Sequence, residues 1–483
     1  MAGKRPINRR EYLKSSAVAV AGATLYGCSA DDAAINPTRL GFTELSRVNN
    51  SYEMGTAPIS CSGWTHHISD IVDYPTLERD LSADVVVVGA GLAGSSLALH
   101  LAEAGVKVAV LEARQPGWGA SGRNAGHVLP TLKDVKAIRS FPDGGKRFLA
   151  LFREHHAMPF DLSAKYGFDC DAEQTGYLNA CGSESTFQDY KRSSRFWQEE
   201  QGQKVDLLDS EDMQRMTGSS YYPYGVLYRS GGRVNPYLFT NGMITAAVRK
   251  GAQVYGNSEA MTLGKLGERW KLSSAKGSVT ADRVVFCTNA YPTGIVPQVT
   301  NNFYPLTAYA LSTKPLSPPA LEVINPGKAT LAQVPIDLNP FIIDGNNRII
   351  LSSIPSVFSP EDADLHFRNH LAWIHRTWPQ AKDFDIELES YWTGRVALRD
   401  KEFPGVFELG SGVYGLMHFN AWGNVMAPLL GMLLADGLMK DQMDQLPFPL
   451  ERPQRISNPN KQDLIIRKLI IPAARLGQKI GYF

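Results

Sequence analysis

Residues 83–94 read ADVVVVGAGLAG, and this stretch decides the fold. Its four consecutive valines are typical of a short parallel strand that is buried on both faces. The glycines that follow have the spacing G-x-G-x-x-G. Beyond them, Ala93, Leu97 and Leu101 recur every four residues, which predicts one apolar face of a helix. The stretch therefore predicts a strand, a tight glycine turn and a helix, which together form the first half of a βαβ unit.

The second half of the unit follows directly in the sequence. Residues 106–111, VKVAVL, predict a second strand, and Glu112 closes it. In such a unit Gly89 makes the turn, Gly91 lets a pyrophosphate approach the backbone, and Gly94 lets the helix pack on the strand. The helix N-terminus faces the phosphates, and Glu112 accepts hydrogen bonds from ribose hydroxyls. This order of parts predicts a dinucleotide site, and the acidic residue disfavours the 2′-phosphate of NADP.

A second glycine-rich segment, residues 117–126, reads GWGASGRNAG. It resembles the G-A-S-G-R-N-G-G stretch of the D-amino-acid-oxidase-like flavoproteins. The subgroup that it resembles most is the gamma-glutamylputrescine oxidases, and glycine and sarcosine oxidases are more distant. Further segments continue the resemblance in the family's order: 166–170 (YGFDC), 175–178 (TGYL), 231–236 (GGRVNP), 284–291 (VVFCTNAY) and 391–395 (YWTGR). With the helix expected after them, these landmarks span residues 83–440.

The resemblance implies an FAD cofactor and an α/β fold, with a Rossmann-like FAD-binding domain and an antiparallel-sheet substrate domain. Backbone N–H groups of residues 117–126 would lie against the isoalloxazine ring and stabilise its negative charge on reduction. We expect Ser121 at a phosphate oxygen, and Arg123, Asn124 and Gly126 at the ring edge. The alternative is that this segment is a surface loop. The residues expected to contact FAD are Gly89, Gly91, Leu92, Ala93, Gly94, Glu112, Ala113, Arg114, Ala120, Ser121, Arg123, Asn124, Ala125, Gly126, Ala260, Thr288, Asn289, Trp392, Arg395, Asn420, Gly423, Asn424 and Val425.

The sequence departs from the family near its C-terminus. Where relatives carry G-Y-S-G-H-G over the flavin, residues 418–424 read HFNAWGN. Only Gly423 remains of the glycines, and Trp422 stands at the usual histidine position. A helix is expected over residues 425–438, with Pro428 in its first turn and its positive N-terminal end towards the flavin. Trp422 is expected to shape the substrate pocket or to hinder oxygen access; packing against the sheet is the alternative.

The family's reaction is amine or amino-acid oxidation, in which hydride passes from the substrate carbon to flavin N5 and water hydrolyses the imine to a carbonyl. Burial of the substrate ammonium in an apolar pocket lowers its pKa and favours the neutral form that reacts. We therefore expect little acid–base machinery. The catalytic candidates are His127, Arg395, His418 and Trp422. A structural histidine is the alternative for His127, and a structural ion pair is the alternative for a substrate-carboxylate or flavin contact of Arg395.

The first thirty residues predict export. Arg9 and Arg10 precede a mildly apolar stretch at residues 15–27, as in a twin-arginine signal. The stretch ends in LYGC and resembles a lipobox with Cys28 as the lipidated residue; plain cleavage and an uncleaved anchor are the alternatives. Because twin-arginine export moves folded proteins, it indicates a tightly held cofactor. The expected location is the periplasm or cell envelope, with membrane anchoring through Cys28.

The predicted organisation has five parts. They are the signal peptide (1–28), a tether and N-terminal wrap (29–82), the FAD-binding domain (83–130, 225–298 and 389–440), the substrate domain (131–224 and 299–388) and a basic amphipathic tail (441–483). Within the tail, residues 463–471 read DLIIRKLII and predict a helix that either lies on a membrane surface or docks on the body.

Composition excludes several classes of protein. The chain has 483 residues, with 49 Lys+Arg against 48 Asp+Glu and a net charge of +1, so no basic field indicates a nucleic-acid partner. Cysteine and histidine spacing gives no zinc pattern, and we expect no metal site. Cys170 and Cys181 are near enough in sequence to form a disulfide, while Cys287 is expected to be a buried free thiol.

The electron acceptor is open at this stage. An amine or amino-acid substrate is expected, with oxygen or a quinone or cytochrome as acceptor. One alternative is therefore a quinone- or cytochrome-linked dehydrogenase of an N-methylated or cyclic imino acid. A second alternative is a flavin-bearing accessory protein without turnover, which the altered sequence at residues 418–424 motivates.

Overall fold

The computed structural model describes residues 55–69 and 71–479. The predicted signal peptide, Cys28 and the first half of the predicted wrap lie outside the described residues. The strands are β1 (Asp80–Ser82), β2 (Val85–Val88), β3 (Val108–Leu111), β4 (His127–Val128), β5 (Tyr177–Cys181), β6 (Val205–Leu208), β7 (Tyr224–Tyr228), β8 (Gly232–Arg233), β9 (Gln253–Tyr255), β10 (Thr262–Leu266), β11 (Arg269–Ser273), β12 (Ser278–Ala281), β13 (Arg283–Phe286), β14 (Tyr304–Thr313), β15 (Thr330–Val334), β16 (Phe341–Ile343), β17 (Ile349–Ser353), β18 (Leu388–Leu398), β19 (Gly405–Gly410) and β20 (Val413–Met417). The α-helices are α1 (Leu92–Glu103), α2 (Val135–Ile138), α3 (Lys146–His155), α4 (Met158–Tyr166), α5 (Glu184–Arg195), α6 (Ser210–Thr217), α7 (Pro236–Arg249), α8 (Pro318–Val323), α9 (Ala363–Thr377), α10 (Gly423–Met439), α11 (Asn460–Ile465) and α12 (Ile471–Lys479).

A six-stranded sheet in the order β19-β20-β13-β2-β3-β9 contains the predicted βαβ unit. Strands β20, β13, β2, β3 and β9 are parallel to their neighbours, and only β19 pairs antiparallel. Every residue of β2 and β3 is buried, as expected for a parallel sheet covered on both faces. The predicted second strand begins at Val108 rather than at residue 106. The α/β fold class is confirmed.

Helices α1 and α10 pack closely on each other beside this sheet. The Ser96 hydroxyl donates to the Pro428 carbonyl at 2.7 Å. A Cβ on Gly431 would lie 2.9 Å from the Ala93 carbonyl oxygen, so glycine permits the contact. Helix α10 begins at Gly423, two residues before the predicted start. Pro428 therefore lies in the second turn, not in the first.

An eight-stranded sheet in the order β18-β14-β17-β16-β15-β5-β7-β6 forms the second layer. It is mixed, because β15 and β5 are parallel while the other pairs are antiparallel. Successive residues of β18 face opposite sides of the sheet. Tyr391 contacts His366 of α9, whereas Trp392 contacts the backbone of residues 117–126. One face of this sheet is thus turned towards the predicted FAD loop.

Two strands of the large sheet lie on the other side of the predicted domain boundaries. The boundaries at 224/225 and 388/389 place β7 and β18 in the FAD-binding domain, but both pair within the eight-stranded sheet. The reason is that pairing partners far apart in sequence decide which sheet a strand joins. Similarly, β1 falls within the predicted wrap but pairs with β12 in a four-stranded sheet of order β1-β12-β11-β10.

The described part of the N-terminal wrap lies between the two layers. Two short 3-10 turns, Ile59–Cys61 and Gly63–Thr65, carry the fully buried Trp64. Arg348, itself buried, donates to the Gly63 carbonyl at 2.9 Å and pairs with Asp344 and Glu389. The wrap is therefore held to the substrate sheet by a buried cation whose charge is balanced by two carboxylates.

The state of the cysteines bears on the disulfide expected between Cys170 and Cys181. Cys170 and Cys181 are both buried and are free thiols, and so is Cys287. Burial raises the pKa of the Cys170 thiol to about 12.

Within residues 55–69 and 71–479, no helix is long and apolar enough to cross a bilayer.

Candidate active site

The glycine turn after β2 makes a groove at the N-terminus of α1. Gly89 has φ +101°, a conformation that favours glycine. A Cβ on Gly94 would lie 1.9 Å from the Gly89 carbonyl oxygen, so only glycine lets helix and turn meet. A Cβ on Gly91 would lie 2.6 Å from the Ser121 hydroxyl. That hydroxyl accepts from the Leu92 backbone N–H at 2.9 Å and marks where an anion would meet the helix.

Glu112 lies directly beside the same turn. Its carboxylate accepts from the Ala90 N–H at 2.7 Å and from the Arg114 N–H at 3.0 Å. Burial raises the pKa of Glu112, and these backbone hydrogen bonds oppose the rise. The segment that leads to the buried Ala260 adjoins it, because Ser258 donates its backbone N–H to the Glu112 carbonyl at 2.8 Å. Residues 112–114 and 258–260 thus lie side by side.

The loop at residues 117–126 is held by two indoles. Trp392 donates its Nε1–H to the Arg123 carbonyl at 2.9 Å. Trp64 donates its Nε1–H to the next carbonyl, that of Asn124, at 2.8 Å. The Asn124 side chain in turn accepts from the Gly126 N–H at 2.9 Å. Because these hydrogen bonds hold its carbonyls, the loop has a fixed backbone path, and its N–H groups have fixed directions. Fixed N–H donors are what stabilisation of negative charge on a flavin requires.

Arg123 has a different role from the ring-edge contact expected for it. Its guanidinium is buried and donates to the carbonyls of Trp118 at 2.7 Å, Thr393 at 3.3 Å and Ala57 at 2.5 Å. It also lies 5.0 Å from the centre of the Trp118 ring. Because the guanidinium is occupied by backbone carbonyls, Arg123 joins the loop, β18 and the N-terminal wrap. Its backbone is engaged as well, because its N–H donates to the Ala120 carbonyl at 3.2 Å and its carbonyl accepts from Trp392.

The loop at residues 418–424 has an unusual backbone. His418, Asn420 and Ala421 have φ values of +63°, +53° and +59°, in the left-handed region that glycine favours. Asn420 fixes the loop, because its amide donates to the Lys401 carbonyl at 2.7 Å and its oxygen accepts from the Arg399 N–H at 2.7 Å. The left-handed positions that the family fills with glycine are therefore kept here by other residues.

Three loops meet at the carboxyl edge of the parallel strands. The Asn424 amide donates to the Asn124 side-chain oxygen at 2.9 Å and to the His127 carbonyl at 2.8 Å. The Asn289 side chain, just after β13, accepts from the His418 N–H at 2.9 Å. Ligands of open parallel sheets bind at this edge. The structure thus brings together the predicted residues from three separate parts of the sequence.

Buried polar atoms without partners mark the same edge. In the described part of the chain, no hydrogen-bond partner is found for His127 Nε2, Thr288 Oγ1, His418 Nδ1 and Nε2, Trp422 Nε1 and Asn424 Oδ1. Buried polar groups are nearly always paired, so these atoms indicate a polar ligand. Together with the glycine groove at Gly91, they fit a flavin dinucleotide.

Of the other predicted contacts, Ala120 opens a 3-10 turn, Ala93 and Val425 are buried in α1 and α10, and Ala113 and Ala125 flank Glu112 and Gly126.

The two candidate histidines are neutral at physiological pH. Burial lowers the pKa of His127 to about 4. Burial and the positive charge of Arg399 lower the pKa of His418 to about 3. The His418 ring lies 4.9 Å from the Phe303 ring and 5.5 Å from the Phe407 ring, measured between centres. This part of the site is therefore dry and disfavours positive charge.

Trp422 and Arg395 lie in different surroundings. Trp422 is buried, and the ammonium of Lys133 lies 5.8 Å from its ring centre and donates to the Asn420 carbonyl. The Arg395 backbone N–H donates to the Tyr291 hydroxyl at 3.0 Å, and its guanidinium carbon lies 5.9 Å from the Tyr291 ring centre. The structure places Arg395 against Tyr291, at the end of the site nearest the N-terminal wrap.

Sequence reasoning missed several residues that build the site. Trp64, Lys133, Tyr291 and Phe303 were not among the candidates. The wrap that carries Trp64 has no periodic pattern, and Phe303 meets His418 only through the tertiary fold. Of these four residues, Tyr291 is the one that the sequence could have revealed, because it ends the segment 284–291, which resembles the family.

The comparisons with known proteins agree with this geometry. A family profile described as FAD dependent oxidoreductase (DAO) matches residues 84–437. Gamma-glutamylputrescine oxidoreductase of Escherichia coli (strain K12) is 28% identical over 397 residues, which cover 79% of this chain and 92% of that protein. The structure of L-amino acid deaminase from Proteus myxofaciens has a TM-score of 0.65 and 14% identity, covering 78% and 94% of the two chains. That of L-proline dehydrogenase from P. horikoshii has a TM-score of 0.61 and 20% identity, covering 76% and 96%.

Proposed function

The chain belongs to the FAD-dependent oxidoreductase family and is an FAD-dependent enzyme of amine or amino-acid oxidation, and we propose that it removes a hydride from the carbon of a CH–NH group. Bound FAD supplies the two-electron acceptor for that hydride. The nitrogen lone pair closes the C=N bond as the hydride leaves, and the resulting imine takes up water to give a carbonyl compound and the released amine or ammonia.

The observation that carries the proposal is the burial of the two histidines at the site. Two imidazoles, that of His127 in β4 and that of His418 in the loop at residues 418–424, have pKa values lowered to about 4 and about 3, first by burial. The same burial acts on a substrate ammonium and lowers its pKa towards neutrality. An amine that is already neutral needs no strong base, so the site needs only to hold the substrate and exclude water.

The residues of this chain have three separate tasks in that reaction. The indoles of Trp64 and Trp392 fix the loop that would lie along the flavin. The N-terminus of α10 at Gly423 directs its positive end to the same edge, where negative charge develops on reduction. The unpartnered His127 Nε2 and Trp422 Nε1 are the polar atoms offered to a substrate.

The acceptor and the location are further parts of the proposal. The arginine pair Arg9 and Arg10 supports export through the twin-arginine route, and Cys28 supports attachment to the membrane. In that setting a quinone or a cytochrome is the expected acceptor beside oxygen. Fractionation of cells that express the full chain, with Arg9 and Arg10 changed to lysine as the control, tests export.

The experiment that tests the reaction is anaerobic bleaching of the purified yellow protein. Polyamines, γ-glutamyl amines, amino acids and N-methyl amino acids are added while the oxidised flavin band is followed. Bleaching by one class is expected, and it becomes faster as pH rises because more of the amine is neutral. Readmission of air then separates an oxidase, which regains its colour, from a dehydrogenase, which needs an added quinone or cytochrome.

The control variant is Gly91→Val, whose side chain would collide with Ser121 and keep the cofactor from the helix N-terminus. It should lack the yellow colour and the bleaching. His127→Gln should slow bleaching but leave its pH dependence in place. Bound FAD that no amine or amino acid bleaches would instead support the accessory protein without turnover, and a wild-type protein that binds no FAD would defeat the whole proposal.

A further inference from the structure

The C-terminal tail is docked on the substrate layer through its cations. Helix α11, a π-helical turn at Ile466–Ile470 and α12 form one continuous helical segment. Arg467 donates to the Ser356 carbonyl at 3.0 Å and is paired with Asp463. Arg475 donates to the Leu338 carbonyl at 3.2 Å and to the Ser353 hydroxyl at 3.1 Å. The inward face of the segment therefore carries its guanidinium groups, beside Ile466, Ile470 and the buried Ala474.

The outward face of the tail is apolar. Its aliphatic side chains are exposed by 49% at Leu464, 37% at Ile465, 61% at Leu469 and 38% at Leu476. Together with the exposed Lys461, Lys468 and Pro472, they occur singly or in adjacent pairs every three or four positions, which places them on one side of a helix. The tail stripe, as we call this face, consists of Lys461, Leu464, Ile465, Lys468, Leu469, Pro472 and Leu476.

A surface helix usually packs its apolar side inward, whereas this segment also exposes aliphatic side chains on its outward side. The guanidinium groups face the protein, while four aliphatic side chains and two ammonium groups face outward. The tail stripe contains no carboxylate, since Asp463 lies on the inward side. The loop that Arg467 holds at Ser356 also carries Phe358, which is 95% exposed. Apolar and basic residues on one outward face are the pattern of a helix that lies in a membrane interface.

We propose that the tail stripe is the surface with which this protein lies on an anionic lipid bilayer. The four aliphatic side chains enter the interface, and Lys461 and Lys468 meet lipid phosphates. A second copy of the chain fits the same surface less well. In a two-fold pairing these lysines would face identical lysines, and like charges repel. The proposal does not rest on the proposed reaction, because the stripe lies on the outside of the substrate layer.

Vesicle sedimentation of the full chain tests the proposal. Every protein carries Cys28→Ser, so that the predicted N-terminal lipid contributes nothing. Vesicles of phosphatidylcholine with 30% phosphatidylglycerol are compared with phosphatidylcholine alone. The variant L464D/L469D should lose binding by at least tenfold on both. The variant K461E/K468E should lose about tenfold on the anionic vesicles only, and added salt should weaken wild-type binding to those vesicles.

Leu266→Asp is the matched control, because Leu266 is 56% exposed on β10, far from the tail in sequence. It should bind vesicles like the parent. Retained flavin colour and melting temperature show that each variant is folded. Vesicle binding that L464D/L469D leaves unchanged would overturn the proposal. The proposal would also be overturned if the parent did not bind vesicles but formed a concentration-dependent dimer that L464D/L469D dissociates. The tail stripe would then join two copies of the chain.

Discussion

The two loops at the predicted flavin site reach a fixed backbone by opposite means. In residues 117–126, glycines stand where space or a positive φ requires them, and the indoles of Trp64 and Trp392 satisfy consecutive carbonyls. In residues 418–424, His418 and Ala421 adopt left-handed conformations without being glycine. The rings of His418 and Trp422 also keep buried nitrogen atoms for which the described residues offer no partner.

The difference between the loops separates the features that FAD binding requires from the features that are particular to this protein. The first loop follows the family sequence and has nearly complete hydrogen bonding, as a general flavin support would. The second loop replaces the side chains of the family sequence, and its left-handed positions at His418 and Ala421 store strain of about 1 kcal/mol each. Strain and unpaired polar atoms gather at binding sites, so the second loop is where substrate preference is expected to lie.

The largest expected effect comes from filling the first loop. A Cβ on Gly122 would lie 2.2 Å from the Gly117 carbonyl oxygen, which is backbone and cannot move aside. We expect Gly122→Ala to cost roughly 3 kcal/mol or more of stability and to reduce bound flavin at least tenfold. The measurements are the ratio of flavin to protein absorbance and the melting temperature.

Gly119→Ala is the control in the same loop, because its Cβ would lie 3.3 Å from the Tyr291 ring, a contact that a displacement of a few tenths of an ångström relieves. It should keep its flavin. Equal flavin loss in both variants would mean that the loop tolerates no added atom anywhere, and the specific contact between residues 117 and 122 would not be the cause.

Acid should weaken the site through two histidines, His127 in β4 directly after the first loop and His418 in the second loop. An unfolded histidine titrates near pH 6.5, whereas folded His127 and His418 titrate at about 4 and about 3. Between these values the unfolded chain binds more protons, so the free energy of unfolding falls as pH is lowered from 6.5. Each histidine contributes a slope of about 1.4 kcal/mol per pH unit. Urea unfolding from pH 7.5 to 4.5 measures it.

His418→Asn isolates the second loop, since asparagine accepts a left-handed backbone and does not titrate. Its slope should be smaller than that of the wild type by about one proton. An unchanged slope would show that His418 is already protonated in the folded protein, and the dryness inferred for this site would be wrong.

The first loop is easier to predict from the sequence than the second, and the reason is physical. The strand, the glycines and the helix at residues 83–111 are local features, and the family resemblance that they support is confirmed by the profile match. Likewise, the position of Glu112 follows from its place at the end of a strand. By contrast, the pairing of β7 and β18 in the large sheet depends on partners far away in sequence.

The second loop was harder to predict because a left-handed backbone is visible in sequence only when glycine occupies it. Residues 418–424 lack two of the family's glycines, yet His418 and Ala421, which stand at those two positions, have left-handed backbones. The indole of Trp64 was missed for a related reason. Its partner, the Asn124 carbonyl, belongs to the backbone and leaves no trace in the residue type.

Removal of one indole donor should have a moderate effect on the first loop. Trp64→Phe and Trp392→Phe each leave a buried carbonyl without its donor, which costs about 1–3 kcal/mol. We expect the visible circular dichroism of the bound flavin to change as well, because the loop backbone would shift. Trp270→Phe is the control, since its Nε1 donates to the Ser411 carbonyl at an exposed position where water replaces it. If all three variants lose the same stability, the indoles contribute packing alone.

The smallest expected effect has the opposite sign and belongs to the second loop. Ala421 has φ +59°, and its Cβ makes that conformation unfavourable by about 1 kcal/mol. Ala421→Gly should therefore raise the free energy of unfolding by roughly 0.5–1 kcal/mol, after the added entropy of an unfolded glycine is subtracted. Ala164→Gly, at an exposed position in α4, removes a methyl group from an ordinary helix and should lower the same quantity by a similar amount. Chemical unfolding of the two variants gives both signs in one experiment. Destabilisation by Ala421→Gly would mean that the loop is relaxed rather than strained, and the contrast with residues 117–126 would then rest on the unpaired side-chain atoms alone.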